Sequence, residues 1–276
     1  MSTWETRPKE AAAPSSGRGP VAIVTGASRG LGREISMALL RSQVSVIGVG
    51  RSADCLNELM TTVASQSKDN GGAQFIPCVA DVTTAQGVSA IEQSLKNSGL
   101  GLVALVNNAG TLGPVAPIAS ASAGGWREHF DVNLFAVVEL TSRVLPELRA
   151  SKPGRVINIS SGASIHPYHG WGAYCASKAA VNMLTQSMAH EEPDVVAIAV
   201  RPGVVDTEMQ DFIRNKCAKG MHADEYNKFV KLHESGKLVH PSKPANVIAK
   251  LALDAPVEVS GSFYSWDSDE LAKYRS

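Results

Sequence analysis

Tyr174 and Lys178 stand four residues apart in the stretch WGAYCASKAAV, residues 171–181. On a helix that spacing puts both side chains on one face, one turn apart. A free phenol titrates near pH 10 and is a poor proton donor or base at neutral pH. A neighbouring ammonium group favours the phenolate and lowers that value. The pair is therefore suited to moving one proton to or from an oxygen near pH 7. By itself the spacing is weak, since composition alone yields such a pair in about one chain of four. Its weight comes from its company: Ser161 thirteen residues upstream, Asn133 in an earlier helical stretch, and a glycine-rich loop near the N-terminus.

The elements that must position these residues follow from the apolar patterning. Residues 19–25 form a β-branched run ending at Gly26; helix periodicity covers 33–41, and a second apolar run covers 44–49. Strand, glycine turn, helix and strand in about 30 residues make a βαβ unit. The alternation continues with helix 54–65, strand 74–79, helix 84–97 and strand 102–106. A long helix over 125–149 precedes strand 155–160, and the Tyr174 helix precedes strand 195–200. Helix 241–254 leads to a last strand near 260–264. Seven strands and six helices in this order predict an α/β, doubly wound parallel sheet (Rossmann-like) with helices on both faces. The strands lack polar alternation, as strands covered on both sides do. Residues 206–238 break the rhythm, with Met209, Phe212, Ile213, Phe229 and Leu232 among many charges. They read as one or two amphipathic helices serving as a substrate lid.

The 276 residues suit a single domain, here 20–276, after a polar, Pro- and Ser-rich tail over 1–19 that reads as disordered. That tail lacks the apolar core of a secretory signal. The 26 basic and 26 acidic residues balance, and no basic stripe points to nucleic acid or an anionic membrane. No apolar run is long enough to span a bilayer. The four cysteines, Cys55, Cys78, Cys175 and Cys217, have neither C-x-x-C nor metal-ligand spacing, so no metal is expected. They suit free thiols and a cytoplasmic location.

The ends of the strands carry the remaining candidates. In TGASRGLG, residues 25–32, Gly26, Gly30 and Gly32 allow close approach of a pyrophosphate to the following helix N-terminus. After the second strand stands Arg51, where a cofactor with a free ribose 2′-OH usually meets an acidic residue. Arg51 and Arg29 together suit a 2′-phosphate, which argues for NADP(H) over NAD. Asp81 and Val82 follow the third strand, with Asp81 able to accept from an adenine amino group; the NNAG run, 107–110, follows the fourth. Asn107 reads as a residue that satisfies turn backbone, and Asn133 as a buried amide needing partners. Ser161 ends the fifth strand, and PGVVDT, 202–207, ends the sixth, its Thr207 hydroxyl and turn backbone suited to a carboxamide or phosphate. His166, Pro167, Tyr168, His169, Trp171, Met209 and Phe212 are candidate pocket walls, the two histidines as polar entrance residues and Cys175 as packing.

The set TGASRGLG, Asp81, NNAG, Asn133, Ser161, YCASK and PGVVDT, in this order over about residues 20–265, resembles the short-chain dehydrogenase/reductase family. Within it, WGAYCASKAA and PGVVDTEMQ are similar to the carbonyl-reductase branch that includes sepiapterin and benzil reductases. The resemblance implies that Tyr174 is the catalytic acid/base and that Lys178 lowers its pKa and holds the nicotinamide ribose. It implies that Ser161 binds the substrate oxygen and that Asn133 holds a water linking Lys178 to solvent. Cofactor contacts are implied for Gly26, Ser28, Arg29, Gly30, Leu31, Gly32, Arg51, Asp81, Val82, Asn108, Tyr174, Lys178, Pro202, Val205 and Thr207. The expected activity is NADPH-dependent reduction of a small carbonyl compound, a bulky aromatic or cyclic ketone or diketone, by a homodimer or homotetramer. Two rivals remain at this point: a cofactor sensor or scaffold without turnover, and an NAD-linked alcohol dehydrogenase working in the oxidising direction. Ser265 falls where sepiapterin reductases carry an acidic pterin anchor, which argues against a pterin substrate.

Overall fold

Seven apolar runs form the strands of one sheet in the computed structural model, which describes residues 18–65 and 71–275. They are β1 (Pro20–Thr25), β2 (Ser45–Gly50), β3 (Phe75–Val79), β4 (Gly101–Asn107), β5 (Gly154–Ile159), β6 (Val195–Arg201) and β7 (Phe263–Ser265). All neighbours pair parallel, in the order β3-β2-β1-β4-β5-β6-β7. The order reverses between β1 and β4, so the crevice at their carboxyl ends is the place where such a sheet binds ligands. The tail expected over 1–19 falls, up to residue 17, outside the described residues.

Alternate residues of each strand feed two cores. Ala22 and Val24 of β1 face α1 (Gly30–Arg41), α2 (Ala53–Ser65) and α9 (Ser242–Asp254) on one side. Val21 and Ile23 face α3 (Ala85–Ser98), α5 (Ala136–Ser151) and α6 (Gly172–Glu191) on the other. Burying both faces explains why the strands carry no polar alternation. Local signals agree with this layout: the Thr84 hydroxyl accepts from the Gly87 N–H at the start of α3, and Gly99 closes that helix at φ 66°.

Two details depart from the sequence reading, and a third agrees with it. The single helix expected over 125–149 is α4 (Ala123–Phe130), a π-helical turn over Asp131–Phe135, and α5. The last strand is shorter and later than expected, Phe263–Ser265. The insertion over 206–238 is two helices, α7 (Glu208–Lys216) and α8 (Ala223–Glu234). Their apolar faces, with Ile213 and Phe229, together with Met221 of the loop between them, close on Trp171 and Tyr174 as a third, smaller core. Among the described residues no helix is long and apolar enough to cross a membrane.

Candidate active site

The first two turns of α6 bring Tyr174 and Lys178 to the carboxyl edge of the sheet, both buried. The Lys178 Nζ lies 5.9 Å from the centre of the Tyr174 ring and donates to the Ile159 carbonyl, at 2.7 Å, where β5 ends. Ser161, two residues beyond that strand, hydrogen-bonds the Tyr174 phenol. Its hydroxyl also accepts from the Ala163 N–H at 3.1 Å, which fixes the turn that follows β5. Three of the four expected catalytic side chains thus converge from β5 and α6.

The electrostatics differ from the sequence expectation. Burial pushes the Tyr174 phenol above its ordinary value, against the opposing hydrogen bond with Ser161. Burial likewise brings Lys178 down to about 8. Spacing alone suggested that the ammonium would dominate and lower the phenol. In the folded chain both groups leave water, and desolvation is the largest cause of each shift.

Asn133 sits in the π-helical turn and is fully buried. Its Oδ1 accepts from the Thr111 N–H at 2.8 Å, and its Nδ2 donates to the Thr111 carbonyl at 2.9 Å. It therefore fixes the backbone just beyond β4, the plainer of its possible roles. That backbone matters for the site, because a Cβ on Gly110 would lie 3.3 Å from Asn133 Oδ1 and 3.7 Å from Lys178 Nζ. Asn107 bonds side chains, not backbone: its Nδ2 donates to Thr141 Oγ1 at 3.1 Å and to Asn158 Oδ1 at 2.9 Å. Asn108 does the backbone work instead, donating to the Thr25 carbonyl at 2.8 Å and tying β4 to β1. Sequence reasoning missed His129, whose ring touches Asn133 Nδ2 (2.9 Å) and Ser177 Oγ (3.0 Å). The only available signal was its position four residues before Asn133.

The glycine loop forms a cradle. Gly26 has φ 65°, and a Cβ on Gly32 would come within 2.2 Å of the Gly26 carbonyl oxygen. Residue 29 caps α1 without a side-chain hydrogen bond, so the first N–H groups of the helix keep their capacity for an anion. These features fit the pyrophosphate of a dinucleotide.

Around the cradle the other expected residues fall into place unevenly. Ser28 packs against Gly50, where a Cβ would stand 3.3 Å from its hydroxyl oxygen. Leu31 is buried in the α1 core. Thr207 covers the loop, its methyl 3.2 Å from where a Gly30 Cβ would stand. Val205 is buried and bridges to Val239, while Pro202 is partly buried after β6. Arg51 is exposed beside Asp81; hydrogen bonds from Thr83 hold the Asp81 carboxyl below its usual range, with Arg51 adding to them. Arg29 is not grouped with Arg51: its guanidinium pairs with Glu208 at the start of α7.

Of the expected walls, Tyr168, Trp171 and Met209 join the cluster under α7 and α8, and Cys175 packs there too. The Trp171 ring stacks with Phe229 at 5.4 Å and meets Tyr174 edge-on at 5.7 Å. Phe212 is exposed near Gly113, and His166 is exposed. His169 faces His222 of the insertion, ring centres 4.1 Å apart. Among the described residues no three His, Cys, Asp or Glu side chains gather as a metal site would require.

The sequence matches the short chain dehydrogenase family over residues 20–218. A benzil reductase ((S)-benzoin forming) of Saccharomyces cerevisiae is 34% identical over 264 residues, 92% of this chain and 98% of that one. The solved structure of a short-chain dehydrogenase/reductase from the same yeast aligns with a TM-score of 0.86 at 36% identity, covering 94% of this chain and all of that one. L-sorbose reductase from Gluconobacter frateurii, solved with NADPH and L-sorbose, aligns at a TM-score of 0.78 and 25% identity, covering 90% and 95% of the two chains. With the fold, the cradle and these matches over most of its length, the chain belongs to the short-chain dehydrogenase/reductase family of oxidoreductases.

Proposed function

We propose that the protein is an NADPH-dependent reductase of a small ketone or diketone, with Tyr174 as the proton donor. The observation that carries this reading is the buried Tyr174 phenol, hydrogen-bonded by Ser161 and backed by Lys178, at the carboxyl end of β5 next to the crevice between β1 and β4. The glycine cradle and the N-terminus of α1 would hold the pyrophosphate, Lys178 the nicotinamide ribose, and Thr207 with the backbone of residues 202–205 the far side of the cofactor. Bound NADPH would supply the hydride, which the protein itself cannot.

The residues do the rest. Ser161 and Tyr174 donate to the substrate carbonyl oxygen, so the negative charge that develops there meets fixed donors. As the carbonyl carbon gains the hydride, the oxygen takes the phenolic proton and the product is an alcohol. The raised pKa of Tyr174 keeps that proton in place at neutral pH, which suits the reducing direction. The similarity to a benzil reductase supports an aromatic diketone as substrate. Exposed Phe135 in the π-helical turn, Val138 on α5 and Met183 on α6 suit self-association as a dimer or tetramer. NADPH consumption across a panel of aromatic ketones, diketones and pterins tests the reading. Turnover of the first two classes supports it. Tight NADPH binding without turnover of any class would favour a sensor or scaffold.

Cofactor choice rests on Arg51, since Arg29 is engaged by Glu208. Both partners of that pair are exposed, so breaking it for a phosphate costs little. Arg51→Asp is expected to weaken NADPH by about 10²-fold, in line with about 1.5–3 kcal/mol for a charged hydrogen bond, while NADH changes little. Equal loss of both cofactors in fluorescence titrations would contradict the 2′-phosphate assignment.

The alkaline side of the pH profile is set by Lys178. Its charge is present below about 8 and lost above, and the loss removes the cation behind the phenol. The rate constant kcat/KM for ketone reduction is expected to be level near neutrality and to fall as pH rises through about 8. A profile flat across that window would contradict the role given to Lys178.

A further inference from the structure

His129 is buried, lies outside the set of side chains assigned above, and holds three partners at once. Its Nδ1 lies 2.6 Å from the Gly113 carbonyl oxygen. A carbonyl only accepts, so Nδ1 carries the proton and Nε2 presents a bare lone pair. The Asn133 amide is oriented independently, because the Thr111 N–H donates to its Oδ1 and the Thr111 carbonyl accepts from its Nδ2. The second Nδ2 hydrogen therefore points at Nε2, 2.9 Å away. The Ser177 hydroxyl, 3.0 Å from Nε2, is left to donate to the Tyr174 carbonyl at 2.9 Å. With Nδ1 protonated, the imidazole satisfies both the Gly113 carbonyl and the Asn133 amide; Ser177 Oγ, 3.3 Å from Asn133 Nδ2, is a second, more distant acceptor for the same amide hydrogen.

We propose that His129 is a positioning residue for the reductase reaction: its bare Nε2 locks the Asn133 amide, and through it the backbone around Thr111 and the Tyr174 turn of α6. The claim rests on the reductase reading for its kinetic consequence, and on hydrogen bonding alone for its structural one. The segment locked by Asn133 includes Gly110, where an added Cβ would lie 3.7 Å from Lys178 Nζ, and the His129 ring meets Tyr174 edge-on at 6.1 Å. A displacement of about 1 Å in such a site costs about 10²-fold in rate.

The arrangement carries a pH dependence. A proton on Nε2 would set two donors face to face, His129 against Asn133, and the amide cannot turn round without breaking both bonds to Thr111. The titratable groups facing the imidazole come from α6, Tyr174 and Lys178; the loop after β4 presents the Gly113 carbonyl, and the π-helical turn the neutral Asn133. Burial holds His129 below its ordinary value, against the hydrogen bond to Gly113, and the Lys178 charge acts in the same direction as burial. The positioned state is therefore the neutral one, lost as pH falls.

Two variants and one spectrum test this. His129→Leu removes both hydrogen-bonding nitrogens and is expected to lower kcat by about 10²-fold, with the dissociation constant for NADPH shifted far less. His129→Gln offers an amide oxygen in place of Nε2 and is expected to recover most of kcat, while the acid-side fall in kcat expected of the wild type disappears. Should His129→Leu fail to fold, the Gln variant decides. A kcat in both variants equal to that of the wild type, or an acid limb unchanged in His129→Gln, would overturn the proposal. Nitrogen-15 imidazole shifts of the full chain, assigned by comparison with the Gln variant, read the tautomer without turnover. An Nδ1–H signal for His129 supports the proposal even if no ketone is reduced, which would sink the reductase reading alone. An Nε2–H signal overturns it.

Discussion

Tyr174→Phe is expected to abolish ketone reduction, by about 10³-fold or more, while NADPH affinity stays within a few-fold of the wild type. The substitution removes one oxygen and leaves the ring. That ring keeps its edge-on contacts with Trp171 and His129, so α6 and the aromatic cluster keep their packing. What disappears is the proton given to the carbonyl oxygen and one of its two side-chain donors. Ser161 remains, but a serine hydroxyl cannot supply a proton at neutral pH as readily as a phenol backed by a cation. Steady-state rates with a diketone and fluorescence titration with NADPH separate the two effects. Activity within tenfold of the wild type would show that the proton comes from elsewhere.

Gly32→Val is expected to be the most damaging change to the cofactor cradle. A Cβ at this position lies 2.2 Å from the Gly26 carbonyl oxygen and 2.5 Å from Asn108 Nδ2. The first contact is with backbone, so no side chain can rotate to relieve it. The loop and the start of α1 must separate, which costs about 1–3 kcal/mol or more by overpacking. The same movement disperses the N–H groups that face an anion, and NADPH affinity is expected to fall by about 10²-fold. Gly124→Ala is the control, since a Cβ there meets nothing closer than 3.7 Å. Thermal unfolding with and without NADPH reads both terms: the Val variant should lose melting temperature and most of the stabilisation by cofactor, the control neither. Full cofactor stabilisation of the Val variant would place the pyrophosphate elsewhere.

The sheet was legible because its signals are local and repeated. Strands such as 102–106 are unbroken runs of Leu, Val and Ala, and the helices between them carry their own periodicity and caps, as Thr84 and Gly99 do for α3. The π-helical turn was not legible, because Phe130, Val132, Leu134, Phe135, Val137 and Val138 keep the stretch apolar straight through the break. One consequence is that Phe135 and Val138 end on the surface, not in the core. His129 was hidden for a related reason: a lone histidine beside Arg127 and Glu128 reads as a solvated helix face. Its burial comes from Ser177, 48 residues away in sequence, and that packing leaves no local trace.

Spacing likewise revealed which charges are neighbours without revealing how dry they are. Tyr174 and Lys178 read as a phenol made acidic by an ammonium, yet burial moves each the other way, the phenol up and the amine down. Desolvation depends on everything packed around a group, including Trp171 and the insertion helices, so it emerges only with the fold. Arg29 shows the same limit from the other side. The sequence sets it beside Arg51 near the cofactor, but its partner Glu208 arrives from the insertion.

The central claim is a coupled transfer of hydride and proton to one carbonyl, and isotopic labelling tests it most directly. The protein is incubated with a diketone and NADPH carrying deuterium at both nicotinamide C4 positions, and the alcohol is analysed by mass spectrometry. One deuterium on the new carbinol carbon per NADPH consumed, and no labelled alcohol with Tyr174→Phe, is the result expected. Oxidation of NADPH without labelled alcohol, or equal labelling by the Tyr174→Phe variant, would contradict it.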